Sequence, residues 1–219
     1  MLLSALTISV MRIDSLKTTP DRAGRYAVHF SDGSVMRLYR QTVEDFGLYS
    51  GKELSDEEMV SLQEAASQMS AKMRAVRIVS ASSVTKGDLE QRLVHKGEDP
   101  KQAREAVQWM SELNLLDDSH VAEQVVQRCI SRGYGLQRAK QALYEKKVPK
   151  QYWDAALADY PDQLEEITEF LRCRLGGEYD QRELKRAVDA LMRRGHSYAV
   201  IRKALNRLQL DQEDFPEDY

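Results

Sequence analysis

Apolar residues recur in this chain on two rules that change near residue 50. Beyond that point they return every three or four positions, which lines one face of an α-helix, and the pattern itself repeats. Three segments aligned on Leu93, Leu143 and Leu191 read LVHKGEDPKQAREAV, LYEKKVPKQYWDAAL and LMRRGHSYAVIRKAL. In each, the closing residue (Val107, Leu157 or Leu205) stands 14 positions after the leading leucine, so the connectors match without gaps. The leucines are 50 and 48 residues apart, at the upper edge of the spacing of stacked repeats. Three copies are about the fewest that bury one another.

Local signals make each copy helical. Thr85 with Asp88 reads as a capping box opening a helix that carries Leu89 and Leu93. Gly97 ends it, Pro100 suits the first turn of the next, and Ala103, Val107 and Met110 continue the stripe toward Asn114, Leu115 and Leu116. In the middle copy Val121, Ala122, Val125, Val126, Cys129 and Ile130 form a broad stripe that Arg132-Gly133-Tyr134-Gly135 interrupts. Leu136, Ala139 and Leu143 follow, then Pro149 and a third run through Tyr152, Trp153, Ala156 and Leu157. The last copy repeats the plan with Ile167, Leu171 and Leu175, then Leu184, Val188 and Leu191, then Ile201, Leu205 and Leu208. Each copy is thus about three helices. The leading helix of the first lies within residues 56–80, opened by a second capping box at Ser55 and carrying Met59, Leu62, Ala66 and Met69.

The first 50 residues follow the other rule. YAVHF, SDGS and VMRLY read as strand, tight turn and strand, with Asp32-Gly33 as a two-residue hairpin loop. A lone hairpin is marginal in water, so a third strand within residues 6–17, or the long helix behind it, is expected to support it. The fold expected is mainly α: three tandem three-helix repeats in an elongated curved array, preceded by a small N-terminal β-hairpin element. The boundaries run 1–50 for the β-rich element, 51–83 for the long helix, 84–117 for the rest of repeat 1, 118–161 for repeat 2, 162–210 for repeat 3 and 211–219 for an acidic tail.

Composition adds function classes to exclude. At 219 residues, 31% charged and 42% hydrophobic, the chain has the make-up of an ordinary globular protein. It shows no apolar run long enough to span a membrane. MLLSALTISV lacks a basic leader and a small-residue cleavage site, so it is not read as a signal peptide, and Met11 is an alternative start. A cytoplasmic monomer is expected. Cys129 and Cys173 fall on helix stripes, where both are expected to be small buried hydrophobes rather than a disulfide.

The net charge of −3 hides an uneven distribution. Arg172 to Arg207 holds ten basic residues against Glu178, Asp180, Glu183 and Asp189, whereas the last nine residues hold five acids. Such a basic segment either meets phosphates or an acidic protein surface, with salt-sensitive affinity, or is a solvated helix face. Candidate chemistry is sparse. His29, His95, His120 and His196 are scattered without metal-ligand spacing, and no phosphate-loop or dinucleotide fingerprint occurs. Asp117-Asp118 opens the Val121 helix and reads as N-terminal capping before it reads as a cation site. No enzyme activity, metal or cofactor is expected.

LNLLDDSHVAEQVVQRCISRGYGLQRAKQALYEKKV, residues 113–148, resembles the core of the RecX family of recombinase regulators. It has an L-x-D-D opening, an apolar helix ending in R-x-x-x-R-G-x-G, and a helix ending in a basic pair before Val-Pro. TKGDLEQRLVHKG resembles the family's first helix pair and DALMRRGHSYAVIRKAL its last, so the likeness covers roughly residues 70–210. Lys147 departs from the pattern, standing where the family often has glycine. The resemblance implies a non-enzymatic regulator in DNA repair and the SOS response. Such a regulator binds the RecA recombinase filament on single-stranded DNA and most often inhibits it. The residues it points to are Arg128, Arg132, Tyr134, Arg138, Lys140, Lys146 and Lys147 in the middle copy. In the third they are Arg172, Arg174, Arg186, Arg193, Arg194, Arg202 and Lys203. Gly133 and Gly135 are expected to shape the turn, with Tyr134 stacking on a base or packing. The alternative is a sequence-independent DNA- or RNA-binding helical-repeat protein without a recombinase partner.

Overall fold

The computed structural model describes residues 10–176 and 179–209. The acidic tail and all but the last residue of MLLSALTISV, on which two expectations rest, lie outside the described residues. The described chain forms two compact units, one of residues up to Ser82 together with Leu89–Leu115, the other of Ser83–Asp88 together with residues from Leu116 onward.

The first unit begins with a four-stranded antiparallel sheet, where the sequence pattern had shown a hairpin and a possible third strand. Its strands are β1 (Val10–Leu16), β2 (Arg25–Phe30), β3 (Val35–Tyr39) and β4 (Glu53–Ser55), in the order β3-β2-β1-β4, with a short helix α1 (Arg40–Asp45) before β4. The β2–β3 loop is one residue longer than expected. Phe30 N donates to Ser34 O, Gly33 N donates back to Phe30 O, and of the loop residues only Gly33 has positive φ. This is the three-residue loop that turns through αL at its glycine, while the Asp32 carboxylate accepts from Ser34 N. Ile13, Val28, Phe30, Leu38 and Leu54 point to one face and close a core with Leu48 and Leu62. That burial supplies the support an isolated hairpin lacks.

Leu62 belongs to α2 (Asp56–Ala81), which opens with a full capping box: Ser55 Oγ accepts from Glu58 N, and the Glu58 carboxylate accepts from Ser55 N. Next come α3 (Lys86–His95) and α4 (Pro100–Glu112); Pro100 opens α4 behind an Asp99 cap. The second unit carries α5 (Asp118–Ser131), α6 (Leu136–Glu145), α7 (Trp153–Leu157), α8 (Leu164–Leu175), α9 (Gln181–Arg193) and α10 (Tyr198–Arg207). The fold is mainly α, with three helix triplets after a small strand element.

The triplets close their connectors alike. Leu93, Leu143 and Leu191 are buried, and the carbonyl of each accepts from the amide five residues on, at 3.1, 3.0 and 3.2 Å. That closure needs a left-handed residue four positions after the leucine. Gly97 and Gly195 provide it at φ 89° and 86°, and Lys147 does so at φ 52°. The departure noted in the sequence is therefore a lysine held where two glycines stand in the sibling copies.

Two expectations fail here. The third helix of the middle triplet is only a 3-10 turn at Lys150–Tyr152 followed by five α-helical residues. Trp153 Nε1 donates to Val148 O at 2.9 Å, holding the run back against its own connector. Cys129 is buried as expected, but Cys173 is exposed. In α8 the buried stripe runs Ile167, Leu171, Leu175, and Cys173 lies two residues off it, about 200° around the helix. Among the described residues no helix is long and apolar enough to cross a membrane.

Candidate nucleic-acid and partner interface

The Arg132–Gly135 turn does more than link α5 to α6. Gly133, at φ 63°, turns the chain, and Tyr134 N closes on Cys129 O at 3.0 Å. Gly135 has an ordinary φ of −74°, so the turn itself does not require glycine there. Its neighbour does. A Cβ on Gly135 would lie 2.1 Å from Gly195 O and 2.3 Å from Gly195 C, and one on Gly195 would lie 2.4 Å from Arg138 N. The two glycines let one backbone rest directly on another.

That approach pairs groups each helix end would otherwise leave unmet. Gly135 N donates to Arg194 O at 2.9 Å and Gln137 N to Gly195 O at 3.2 Å, so amides at the start of α6 cap carbonyls just past α9. The opposed ends of the two helix dipoles meet favourably as well. Around this joint the His196 ring, 7% exposed, lies 3.2 Å from Gly133 O through Nε2, and Tyr160 Oη donates to Tyr134 O at 2.5 Å. Burial holds the His196 imidazole below its ordinary pKa, against the hydrogen bond to Gly133 O. Burial also pushes the Tyr160 phenol up to about 12.

The joint gathers some of the sequence-predicted cations. Burial raises the Cys129 thiol pKa, while the charges of Arg138, Arg132 and Arg128 each pull it down. Arg128 and Arg132 are exposed; Arg138 is half-buried and pairs with Glu145 at 3.0 Å. Arg194 comes to the same joint through its carbonyl, with its guanidinium 5.2 Å from the Phe170 ring centroid. Lys146 and Lys147 gather elsewhere, at the start of α3. There Thr85 Oγ1 donates to Lys146 O at 2.7 Å, Lys146 Nζ lies 3.8 Å from the Asp88 carboxylate, and Lys147 lies over Gly87.

The remaining candidates are dispersed. Tyr134 and Lys140 are half-buried, while Arg172, Arg174, Arg186, Arg193, Arg202 and Lys203 are exposed along α8, α9 and α10. Arg172 is paired with Glu169. Asp117 caps α5 through His120 N, as read from the sequence. Asp118, 6% exposed, instead accepts from Lys86 N at 2.9 Å and so anchors the Ser83–Asp88 segment. No group of three or more His, Cys, Asp or Glu residues suited to a metal occurs among the described residues.

Sequence reasoning missed a basic hollow in the first unit, lined by Arg25, Arg74, Arg77, Arg92 and Lys96. One signal was available. Ser70, Arg74 and Arg77 recur at helical spacing, drawing a polar and basic line along α2.

Comparison with known proteins then bears on this geometry. The family model for RecX, second three-helix domain, matches residues 117–157, the middle triplet. The regulatory protein RecX of Halorhodospira halophila is 30% identical over 145 residues, covering 65% of this chain and 90% of the relative. The chain belongs to the RecX family. The RecX of Clostridioides difficile is 23% identical over 209 residues, 91% of this chain and 95% of the relative. The fold agrees. A crystal structure of regulatory protein RecX superposes with a TM-score of 0.61 at 19% identity, covering 90% of this chain and 99% of that one. RecX from Lactobacillus salivarius gives 0.56 at 21% identity, covering 66% and 98%. As a RecX chain this protein has a regulatory role, in a family of regulators rather than of enzymes.

Proposed function

We propose that this RecX chain binds the filament that the RecA recombinase forms on single-stranded DNA and restrains its activity. The supporting observation is the backbone joint between Gly135 and Gly195, which ties the turn bearing Arg132, and the first turn of α6 bearing Arg138, to the turn bearing Arg194. Arginine forks suit the phosphate of a strand and the carboxylates of a protein surface alike. A group held in place before binding loses less conformational freedom on docking than one carried on a mobile loop. Both components of a nucleoprotein filament are thus within the chemistry of arginines carried on joined segments.

The test is the DNA-dependent ATPase of the recombinase on single-stranded DNA. Substoichiometric protein lowers the rate, and an Arg128→Ala/Arg132→Ala variant with an unchanged unfolding midpoint restores much of it. A rate that stays undiminished at equimolar protein refutes the proposal. Salt-sensitive binding to the strand that is indifferent to recombinase would point instead to a plain nucleic-acid-binding protein.

A further inference from the structure

The first unit holds a cavity of about 460 Å³ whose walls carry five cationic side chains from separate parts of the chain and no carboxylate. Arg25 comes from the start of β2, Arg74 and Arg77 from α2, Arg92 from α3 and Lys96 from the connector behind it. Ser70 and Ser82 add hydroxyls to the same walls. A second hollow of about 250 Å³ shares Arg92 and Lys96 and adds Gln91 and His95, so the basic surface continues along the last turn of α3.

Several of these groups are held from behind. The Arg25 guanidinium is gripped by Asp21 at 2.9 and 3.0 Å. Arg74 is fixed by Glu98 at 2.7 Å and by Lys96 O at 2.8 Å. Arg77 donates to the phenol of Tyr39 and Arg92 Nη1 lies 3.5 Å from Ser82 Oγ. Among the described residues neither Arg77 nor Lys96 has an ion pair, so the two carboxylates leave the cavity with a surplus of positive charge. Cations near a helix C-terminus offset its dipole. That accounts for Arg92, His95 and Lys96, but not for Arg25 on a strand or for Arg74 and Arg77 within α2.

We infer that this cavity is a phosphate-binding site of the first unit, taking successive phosphate groups of a polyanion across the two hollows that share Arg92 and Lys96. Guanidinium groups fixed by their own partners keep further N–H donors for non-bridging phosphate oxygens, and the Ser82 hydroxyl, which accepts from Arg92, adds a neutral donor, whereas Ser70 donates to Glu98. A carbon-rich acidic peptide would need apolar seats beside the charges. The walls offer only Ile78, two alanines and the ring of Tyr39, which is 9% exposed and whose phenol is taken by Arg77. The groups could belong to a nucleic-acid single strand or to free polyphosphate, and the probes separate these. The inference does not rest on the recombinase reading, because no recombinase enters the test.

The experiment is fluorescence anisotropy of a labelled single-stranded oligonucleotide against the full chain over a salt series, with long-chain polyphosphate and polyglutamate as competitors. An Arg77→Ala/Lys96→Ala variant is expected to bind at least tenfold more weakly at low salt. Its slope of log affinity against log salt should drop by about 1.4, from ~0.7 per phosphate contact on single strands. Arg77→Lys/Lys96→Arg keeps the slope. Lys96→Glu, at an exposed position, reproduces the loss without touching the Tyr39 contact. If oligonucleotide binding is unchanged while polyphosphate competition weakens, the site stands with free polyphosphate as its ligand. Unchanged binding of both overturns the inference, and so does polyglutamate competing as well as polyphosphate at equal charge.

Discussion

Replacing Gly135 with alanine tests whether the joint between the second and third triplets is built on steric closeness. The backbone at Gly135, φ −74° and ψ 165°, accepts alanine without strain, so conformation contributes nothing to the cost. The added Cβ would lie 2.1 Å from Gly195 O, where even a close carbon–oxygen contact is about 3.3 Å. The backbones must part by roughly an ångström, and the bonds from Gly135 N to Arg194 O and from Gln137 N to Gly195 O open. Two net hydrogen bonds at about 1 kcal/mol each, plus the penalty for polar groups left partly buried, give a loss of about 2–4 kcal/mol. Gly133→Ala is the matched control. No atom lies within 4 Å of its Cβ, but its φ is +63°, so only the left-handed penalty of about 1–2 kcal/mol applies. Urea unfolding in a Trp109→Phe background lets Trp153, the other of the chain's two tryptophans, report the second unit alone. Hydrogen exchange at the Gln137 amide should accelerate in Gly135→Ala and stay slow in Gly133→Ala. A Gly135→Ala protein within about 0.5 kcal/mol of the parent, or one less destabilised than Gly133→Ala, would refute the argument.

The same readout checks three further points. Lys147→Gly should stabilise the second unit by about 0.5–1 kcal/mol, because relief of left-handed strain exceeds the added freedom of the unfolded chain; a loss of stability would show that the lysine stem over Gly87 matters more. His196 is held neutral by burial, with its folded pKa below the ordinary value of about 6.5. The stability this gives is therefore complete above pH ~6.5 and declines as pH falls through the lower folded value. A pH–stability curve should show that decline, and His196→Gln should flatten it. Tyr160→Phe strips the donor from Tyr134 O and should cost about 1–2 kcal/mol, and it should also remove the phenol that titrates near 12 in ultraviolet absorbance.

The repeat was legible because Leu93, Leu143 and Leu191 are followed by connectors of equal length, and equal length is what a shared backbone closure requires. The capping box at Ser55 was legible for the same local reason. What escaped was short or distant. The three-residue strand β4 has no room for a visible alternation, and its pairing with β1 depends on residues some forty positions earlier. Gly135 looked like half of a turn, since nothing near it in sequence reveals that Gly195, sixty residues on, rests against it. Cys173 was misplaced because α8 is apolar enough on several sides for a residue off its stripe to pass as part of it. The unit-one cavity escaped because its cations are contributed from positions 25 to 96 and never form a charge run. The candidate site in the second unit was seen as composition, a surplus of arginine. Which of those arginines meet at one joint is a matter of tertiary contact.

The short segment Ser83–Asp88 sets an order on how the chain assembles during synthesis. It leaves the ribosome before residues 89–115 of the first unit, yet its own partners come later. Lys86 N waits for Asp118, 32 residues on, and Thr85 Oγ1 waits for Lys146 O, 61 residues on. The first unit can close once residue 115 has emerged, while Lys86 N waits for the start of α5 and Thr85 Oγ1 waits until Lys146, just past α6, has been made. Closing so long a loop is entropically slow. Stalling the chain between residues 118 and 146 should therefore leave a folded N-terminal unit with a protease-sensitive stretch in its interior, at Ser83–Asp88, rather than at its growing end alone.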